Sequence, residues 1–208
     1  MKFYWTSDTH FGHGNIMKYC DRPGLSDYEL DLWQKEKKGE SVRCRVSQES
    51  IDIMDEYLLE GINSKVGVND TLIHNGDFSK SQASYFRSKI KCKNVILIFG
   101  NHDSRREMNG LFSGTYDLYT VKFGGYEIVN CHYALATWNK MHHGALHCYG
   151  HSHSGAEENL EKLFPNRRAM DVGVDNAKKL LGKYEPFSFD EIVSLIGNKK
   201  GYSVDHHD

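Results

Sequence analysis

Asp8 and His10 stand two residues apart in "SDTH", Asp77 closes "HNGD", and Asn101, His102 and Asp103 run together in "GNHD". His132 ends "IVNCH", and His151 and His153 frame "GHSH". Carboxylate, amide and imidazole donors without a thiolate form the set that suits divalent ions such as Mn²⁺, Fe²⁺ or Zn²⁺. Asp8, His10, Asp77, Asn101, His132, His151 and His153 together are too many for one ion. Two ions sharing a bridging carboxylate would use them all.

Each of these residues follows an apolar or alternating run of the kind that forms strands. "KFYWTSD" ends at Asp8, "TLIHNGD" at Asp77, "NVILIFGN" at Asn101 and "YEIVNCH" at His132. "ALHCYGHSH" carries His151 and His153, and "RAMDVGVD" is expected to run as a sixth strand to Asp175. Helical spacing of Ile51, Met54, Leu58 and Ile62 predicts a helix between the first two runs, and "SKSQASYFRSKIK" separates the second from the third. Strand, helix, strand implies parallel crossovers, which bring carboxyl ends to one rim. "DLYTVKFGGYEIVNCH" reads as a hairpin turning at Gly124 and Gly125, so the sheets are mixed. Ser188 and Glu191 at capping-box spacing open a closing helix that Gly197 ends. Residues 31–46 are charged and poorly periodic and read as a surface excursion.

The 208 residues, 39% of them hydrophobic, suit one domain, expected over 1–198 with a flexible tail at 199–208. A net charge of −2 gives no bulk attraction for a polyanion, so no extended nucleic-acid surface is expected. Five cysteines without a C-x-x-C pair argue against a disulfide framework or a zinc ribbon. No stretch is apolar enough for a signal peptide or a membrane helix, and the expectation is a soluble, cytoplasmic protein.

The ordered motifs "DTH", "GD", "GNHD", a lone His132 and "GHSH" resemble the signature D-x-H, G-D, G-N-H-D/E, H, G-H-x-H of the calcineurin-like metallophosphoesterases. The likeness spans residues 2 to about 190, and the start "SDTHFGHGNIMKYCDRP" is similar to small stand-alone bacterial and phage members. It implies an α/β (α+β) metallo-dependent phosphatase fold, a four-layer sandwich of two mixed β-sheets flanked by helices. It also implies Asp8, His10 and His153 around one metal and Asn101, His132 and His151 around the other, with Asp77 and a hydroxide bridging. By the same resemblance His102 stabilises or protonates the leaving oxygen, and Asp103 is expected to orient His102. The cofactors expected are two divalent ions, Mn²⁺ first, with Fe²⁺, Zn²⁺, Ni²⁺ and Mg²⁺ as alternatives.

Charge counting agrees with that assignment. Two dications carry four positive charges against three from Asp8, Asp77 and a hydroxide, and the surplus favours a phosphate anion. Asn101 keeps the surplus that a third carboxylate would cancel. Ions about 3.5–4 Å apart activate a water between them and aim it at phosphorus. The expected reaction is hydrolysis of a small phosphoester, with a nucleotide-type phosphodiester favoured over a monoester. "GDFSKSQ" departs from the "GDxxDRG" of protein phosphatases, and a non-catalytic scaffold is the rival outside the enzymes. Self-association is compatible with the sequence.

His13 in "HFGH" and Arg22 in "CDRP" are expected to contact substrate, and Arg105 and Arg106 are weaker candidates. His142 and His143 lie in a loop between two ligand-bearing strands. Asp171 and Asp175 are assigned support of the ligands or turn geometry, His74 a place facing another layer, and His206 and His207 solvent. Segments 31–46 and 138–146 are expected to shape specificity.

Overall fold

The runs that end in candidate ligands are short, rich in branched and aromatic residues, and apolar on both faces, so each becomes a strand buried on both sides. The computed structural model describes residues 1–201. In chain order the elements are β1 (Phe3–Thr6), α1 (Gly14–Tyr19), α2 (Asp27–Lys37), α3 (Gln48–Lys65), β2 (Thr71–His74), α4 (Ala83–Lys89) and β3 (Asn94–Ile98). Then come α5 (Arg105–Met108), β4 (Gly114–Tyr116), β5 (Leu118–Phe123), β6 (Tyr126–Cys131) and, after a 3₁₀ turn at Met141–His143, β7 (Leu146–Tyr149). The chain finishes with α6 (Glu157–Leu163), β8 (Ala169–Asp171), α7 (Val174–Leu181), β9 (Phe187–Ser188), α8 (Phe189–Ile192) and a π-turn at Val193–Gly197.

Two mixed sheets result. One has the order β4-β3-β2-β1-β9, parallel except for β9; the other has the order β5-β6-β7-β8, with β5 antiparallel and the rest parallel. Alternation along the strands fills three layers of core. Trp5, Ile73, Ile96 and Ile98 point inward and meet Ile128, Leu146, Cys148 and Met170 of the second sheet. Tyr4, Leu72, Val95 and Leu97 point outward onto Met17 of α1 and Met54, Leu58 and Ile62 of α3. Burial of each such aliphatic side chain is worth about 1.5–3 kcal/mol. Val129 and Tyr149 face the outer layer with Trp138, Met141 and Leu160. The sheets are also tied by polar groups: Trp5 Nε1 donates to Asn130 Oδ1 at 2.8 Å, and Asn75 Nδ2 donates to the Cys148 carbonyl at 2.7 Å. Two mixed sheets flanked by helices are the architecture the motifs implied.

Three readings change. Residues 27–37 are helical, so the excursion expected at 31–46 begins with α2. Its signal is local: Ser26 and Glu29 form a capping box, and Lys35 pairs with Asp31 one turn back at 2.7 Å. Apolar periodicity is absent because α2 buries little besides Glu29. The run expected to reach Asp175 as a strand stops at Asp171, and Asp175 sits in the first turn of α7. Gly173 extended and Val174 bonded to the Ser7 carbonyl mark that switch. Of the tail expected at 199–208, residues 202–208, with His206 and His207, lie outside the described residues. Among the described residues no helix is long and apolar enough to cross a membrane.

Candidate metal centre

Parallel pairing puts the carboxyl ends of β1, β2 and β3 at one rim and those of β6, β7 and β8 at the facing rim. A bridge between Ser7 and Gly173 joins the two rims. The candidate ligands occupy the turns just beyond, and Asp8, His10, Asp77, His151 and His153 all have left-handed backbone, with φ between 47° and 69°. Asp and His are among the few side chains that tolerate that region. The left-handed turns fold each loop back over its strand end, with Asp8 N donating to the Gly76 carbonyl at 2.9 Å and His10 N to the Asp77 carbonyl at 3.0 Å.

The motif glycines answer to the same crowding. A Cβ on Gly76 (φ +101°) would lie 2.5 Å from His132 Nδ1 and 2.7 Å from the Gly100 nitrogen. One on Gly100 would collide with the Asp77 carboxylate and backbone. Only a residue without a side chain lets these loops touch.

Ligand atoms of Asp8, His10 and His153 lie within 4.8 Å of one another, as do those of Asp77, His132 and His151. Asp77 joins the groups, because its Oδ2 is 3.5 Å from His10 Nε2 and 3.5 Å from His132 Nε2. Its other oxygen, Oδ1, accepts the His102 backbone N–H at 2.8 Å. His132 Nδ1 lies 2.7 Å from the Asn75 carbonyl and must donate to it, which leaves Nε2 with a lone pair in the neutral ring. That lone pair faces Asn101 Oδ1 at 3.1 Å, and His151 Nδ1 faces the same oxygen at 3.0 Å. His10 Nε2 is buried with no hydrogen-bond partner among the described residues. Oxygen and imidazole lone pairs converging on common points fit divalent cations.

The electrostatics agree. Burial pushes the Asp8 carboxyl up to about 7, with the Asp171 carboxylate adding to the rise and His153 and His132 opposing it. Burial pushes His10 down to about 2 against the pull of Asp77, so it is a neutral imidazole. Burial also opposes charge on His132, but Asp77 and Asp8 outweigh it and hold that ring above the ordinary histidine value.

A ring of further groups aims the ligands. Burial works against charge on His153, yet Asp175, whose Oδ2 is 2.7 Å from Nδ1, lifts the ring to about 10. Cys20 joins His153 and Asp175 in a third cluster, where the histidine and the carboxylate already bond each other. Asp171 accepts from Ser152 Oγ, Ser154 N and Gly173 N, fixing the "GHSH" loop. Asp8 accepts from His151 N with both oxygens, at 3.1 and 3.0 Å. His74 pairs through Nε2 with Thr9 Oγ1 at 2.9 Å, beneath the Asp8 to His10 turn.

The remaining expected residues divide. His102 is exposed at the mouth, its ring centroid 5.4 Å from that of His10. His13 is half-buried, its ring centroid 5.5 Å from that of His10 and 6.3 Å from that of His102, and its buried Nδ1 has no hydrogen-bond partner among the described residues. Asp103 is directed elsewhere than the His102 ring: its carboxylate accepts the backbone N–H groups of Asp77, Phe78 and Gly100 at 2.8–2.9 Å. It positions His102 only through the loop it ties. Arg22 differs more. Its side chain is fully buried and bonds Asp175 twice, at 2.9 and 2.7 Å, along with the carbonyls of Thr9 and Asp8. It braces the ligand loops from below, away from the substrate position expected for it. The carbonyl of Asn75, which sets the His132 tautomer, has no sequence signal because it is backbone. Asp175 had one, an acidic residue four places beyond the strand, but its partners lie 22 and 153 positions away.

An uncharacterized protein of Methanocaldococcus jannaschii is 26% identical over 203 residues, which cover 96% of this chain and 93% of that one. A crystal structure of a protein of unknown function from Aquifex aeolicus shares the fold, with a TM-score of 0.63 and 21% identity over 94% of this chain and 99% of that one. A characterized archaeal phosphodiesterase matches at a TM-score of 0.40 and 16% identity, covering 88% of each chain. The family model for the calcineurin-like phosphoesterases matches residues 1–207, so the chain belongs to that family and is a metal-dependent phosphoester hydrolase.

Proposed function

We propose that the chain holds two divalent ions, Mn²⁺ first, and uses them to hydrolyse a small phosphodiester of nucleotide type. Asp8, His10 and His153 would surround one ion, and Asn101, His132 and His151 the other. The observation that carries this reading is Asp77 Oδ2, equidistant at 3.5 Å from His10 Nε2 and His132 Nε2. Its partner oxygen is occupied by the His102 N–H, so the free oxygen faces both sites. Bound ions would supply Lewis acidity and lower the pKa of a coordinated water.

The chain's own groups do the rest. Asp175 holds the His153 ring and the Asn75 carbonyl holds His132, so neither ligand must be ordered when a cation arrives. Asn101 contributes an uncharged oxygen and leaves the centre attractive to a phosphate anion. His102, exposed beside His10, stands where its imidazole can give a proton to the departing oxygen. Asp103, by binding the N–H groups of Asp77, Phe78 and Gly100, ties the segment bearing Asn101 and His102 to the Asp77 loop.

The test is Mn²⁺-dependent hydrolysis of bis(p-nitrophenyl) phosphate against p-nitrophenyl phosphate, with bound metal counted by elemental analysis. Two metals per chain and faster turnover of the diester are expected. Faster turnover of the monoester would make the enzyme a phosphatase. Turnover of neither with any of the divalent ions, at full metal occupancy, would favour a binding scaffold.

A further inference from the structure

A cleft of about 440 Å³ opens beside the ligand cluster, lined by His13, Lys18 and Tyr19 near α1, Glu36 of α2, and Arg43 and Arg45 ahead of α3. It is continuous with the centre through His13, the ring that lies 5.5 Å from His10. Arg43 and Arg45 are exposed while Cys44 between them is buried, the alternation of extended chain, so both guanidinium groups reach the same cleft. Cys44 pins this stretch three ways: its N–H donates to Glu36 Oε2 at 2.9 Å, its carbonyl accepts from Lys18 Nζ at 3.0 Å, and its Sγ lies 3.3 Å from the Glu29 carbonyl.

The charge is unbalanced in a particular way. Lys18 Nζ, the other cation of the cleft, is 3.8 Å from Glu36 and is thereby neutralised. Arg43 and Arg45 make no hydrogen bond or ion pair among the described residues. Two guanidinium groups fixed on one side of an anchored segment, without a counter-charge, form a fork suited to a phosphate.

We propose that Arg43 and Arg45 bind a second phosphate of the substrate, one that is not cleaved, so that preferred substrates are phosphoesters bearing a further phosphate group. This deepens the phosphoesterase reading of the adjoining centre and rests on it. The source of the second phosphate, a nucleotide or a sugar, is left for the assay arms.

The Mn²⁺-loaded protein is assayed on a dinucleotide with and without a 5′-phosphate, and on fructose 1,6-bisphosphate against fructose 6-phosphate. Wild type is compared with the Arg43→Gln, Arg45→Gln double variant, whose substituted side chains are exposed and unpaired and so leave packing intact. The expected result is a preference of about 10–100-fold in kcat/KM, carried mainly by KM, for the doubly phosphorylated member of one pair, falling to near unity in the variant. The same pairs are titrated by calorimetry into the His102→Ala protein, which reads the subsite without turnover. No preference by either readout, or a preference that survives in the double variant, overturns the proposal. Inactivity toward both nitrophenyl esters would overturn the phosphoesterase reading alone, and the calorimetric preference would still decide the subsite.

Discussion

Replacing Asp175 with asparagine should weaken one metal site and leave the other nearly intact. The Asp175 carboxylate accepts from His153 Nδ1 at 2.7 Å and from Arg22 Nε and Nη2 at 2.9 and 2.7 Å. An amide keeps one acceptor and turns an NH₂ toward donors, so at least one of these contacts becomes repulsive. Removing one partner of a buried ion pair costs about 3–5 kcal/mol. Arg22 retains the Thr9 and Asp8 carbonyls, which places the expectation near about 3 kcal/mol and, at about 2–4 °C per kcal/mol, about 6–12 °C in melting temperature. Loss of the group that orients a ligand histidine lowers metal affinity about 10–100-fold, here for the site containing His153. Proton release gives a separate readout. Burial opposes charge on His153 and Asp175 lifts the ring to about 10, so the wild-type ring must lose its proton to bind a cation, whereas the variant loses that pull and keeps only Cys20 and Asp8 against burial. Mn²⁺ calorimetry in buffers of different ionisation heat should therefore show less proton release by the variant than by the wild type. Unchanged stability, two unchanged affinities and unchanged proton release would refute the argument that Asp175 aims His153.

His102→Ala should lower kcat about 10²–10⁴-fold with metal content unchanged, since its proposed role is at the leaving oxygen and not on an ion; a loss of bound metal would contradict that proposal. Gly76→Ala should cost several kcal/mol and bound metal together, because the added carbon lies 2.5 Å from His132 Nδ1 at a φ of +101°; a wild-type melt would show that the loops can part. Glu29→Gln tests a structural carboxylate that accepts from Ser26, Ser50 and Ser47, the caps and first turns of α2 and α3. Burial pushes the Glu29 carboxyl up, but those hydrogen bonds outweigh it and hold it at about 2. A depressed folded value means the contribution is complete above the unfolded value of about 4.5 and is lost as pH falls toward about 2. Melting curves of Glu29→Gln should thus converge on wild type between pH 4.5 and 2, and a difference that persists at pH 2 would exclude the carboxylate as its source.

The strands and their polar tips were legible because burial on both faces demands continuous apolar runs, and five such runs carry the candidate ligands. The hairpin at Gly124 and Gly125 and the closing capping box were legible for equally local reasons. Helix α2 was hidden because the wanted signal, an apolar stripe, is absent from a helix held mainly by its cap and by Glu29. Arg22 misled for a different reason. An arginine near phosphate chemistry invites a substrate role, and nothing local reveals that Asp175, 153 positions later, has claimed it. Arg43 and Arg45 were part of a segment expected to shape specificity, but their shared side depends on Cys44 being buried, which only packing decides.

The centre is built from backbone that the rest of the fold must hold in place. A non-glycine residue in the left-handed region costs about 1–2 kcal/mol, and Asp8, His10, Asp77, His151 and His153 all occupy it. Together that is of the same order as the whole stability of a typical domain. What offsets it is visible around the loops: Asp8 N and His10 N bonded to the neighbouring loop, His151 N on Asp8, His102 N on Asp77, and three N–H groups on Asp103. Two of these acceptors, the Asp8 and Asp77 carboxylates, belong to the candidate ligands themselves, so groups that would bind cations also hold the strained turns. Ligand geometry and loop geometry are therefore one property, and the motif glycines are its steric condition. A chain that kept every ligand but lost Gly76 or Asp103 would retain the donors and lose the place where they meet.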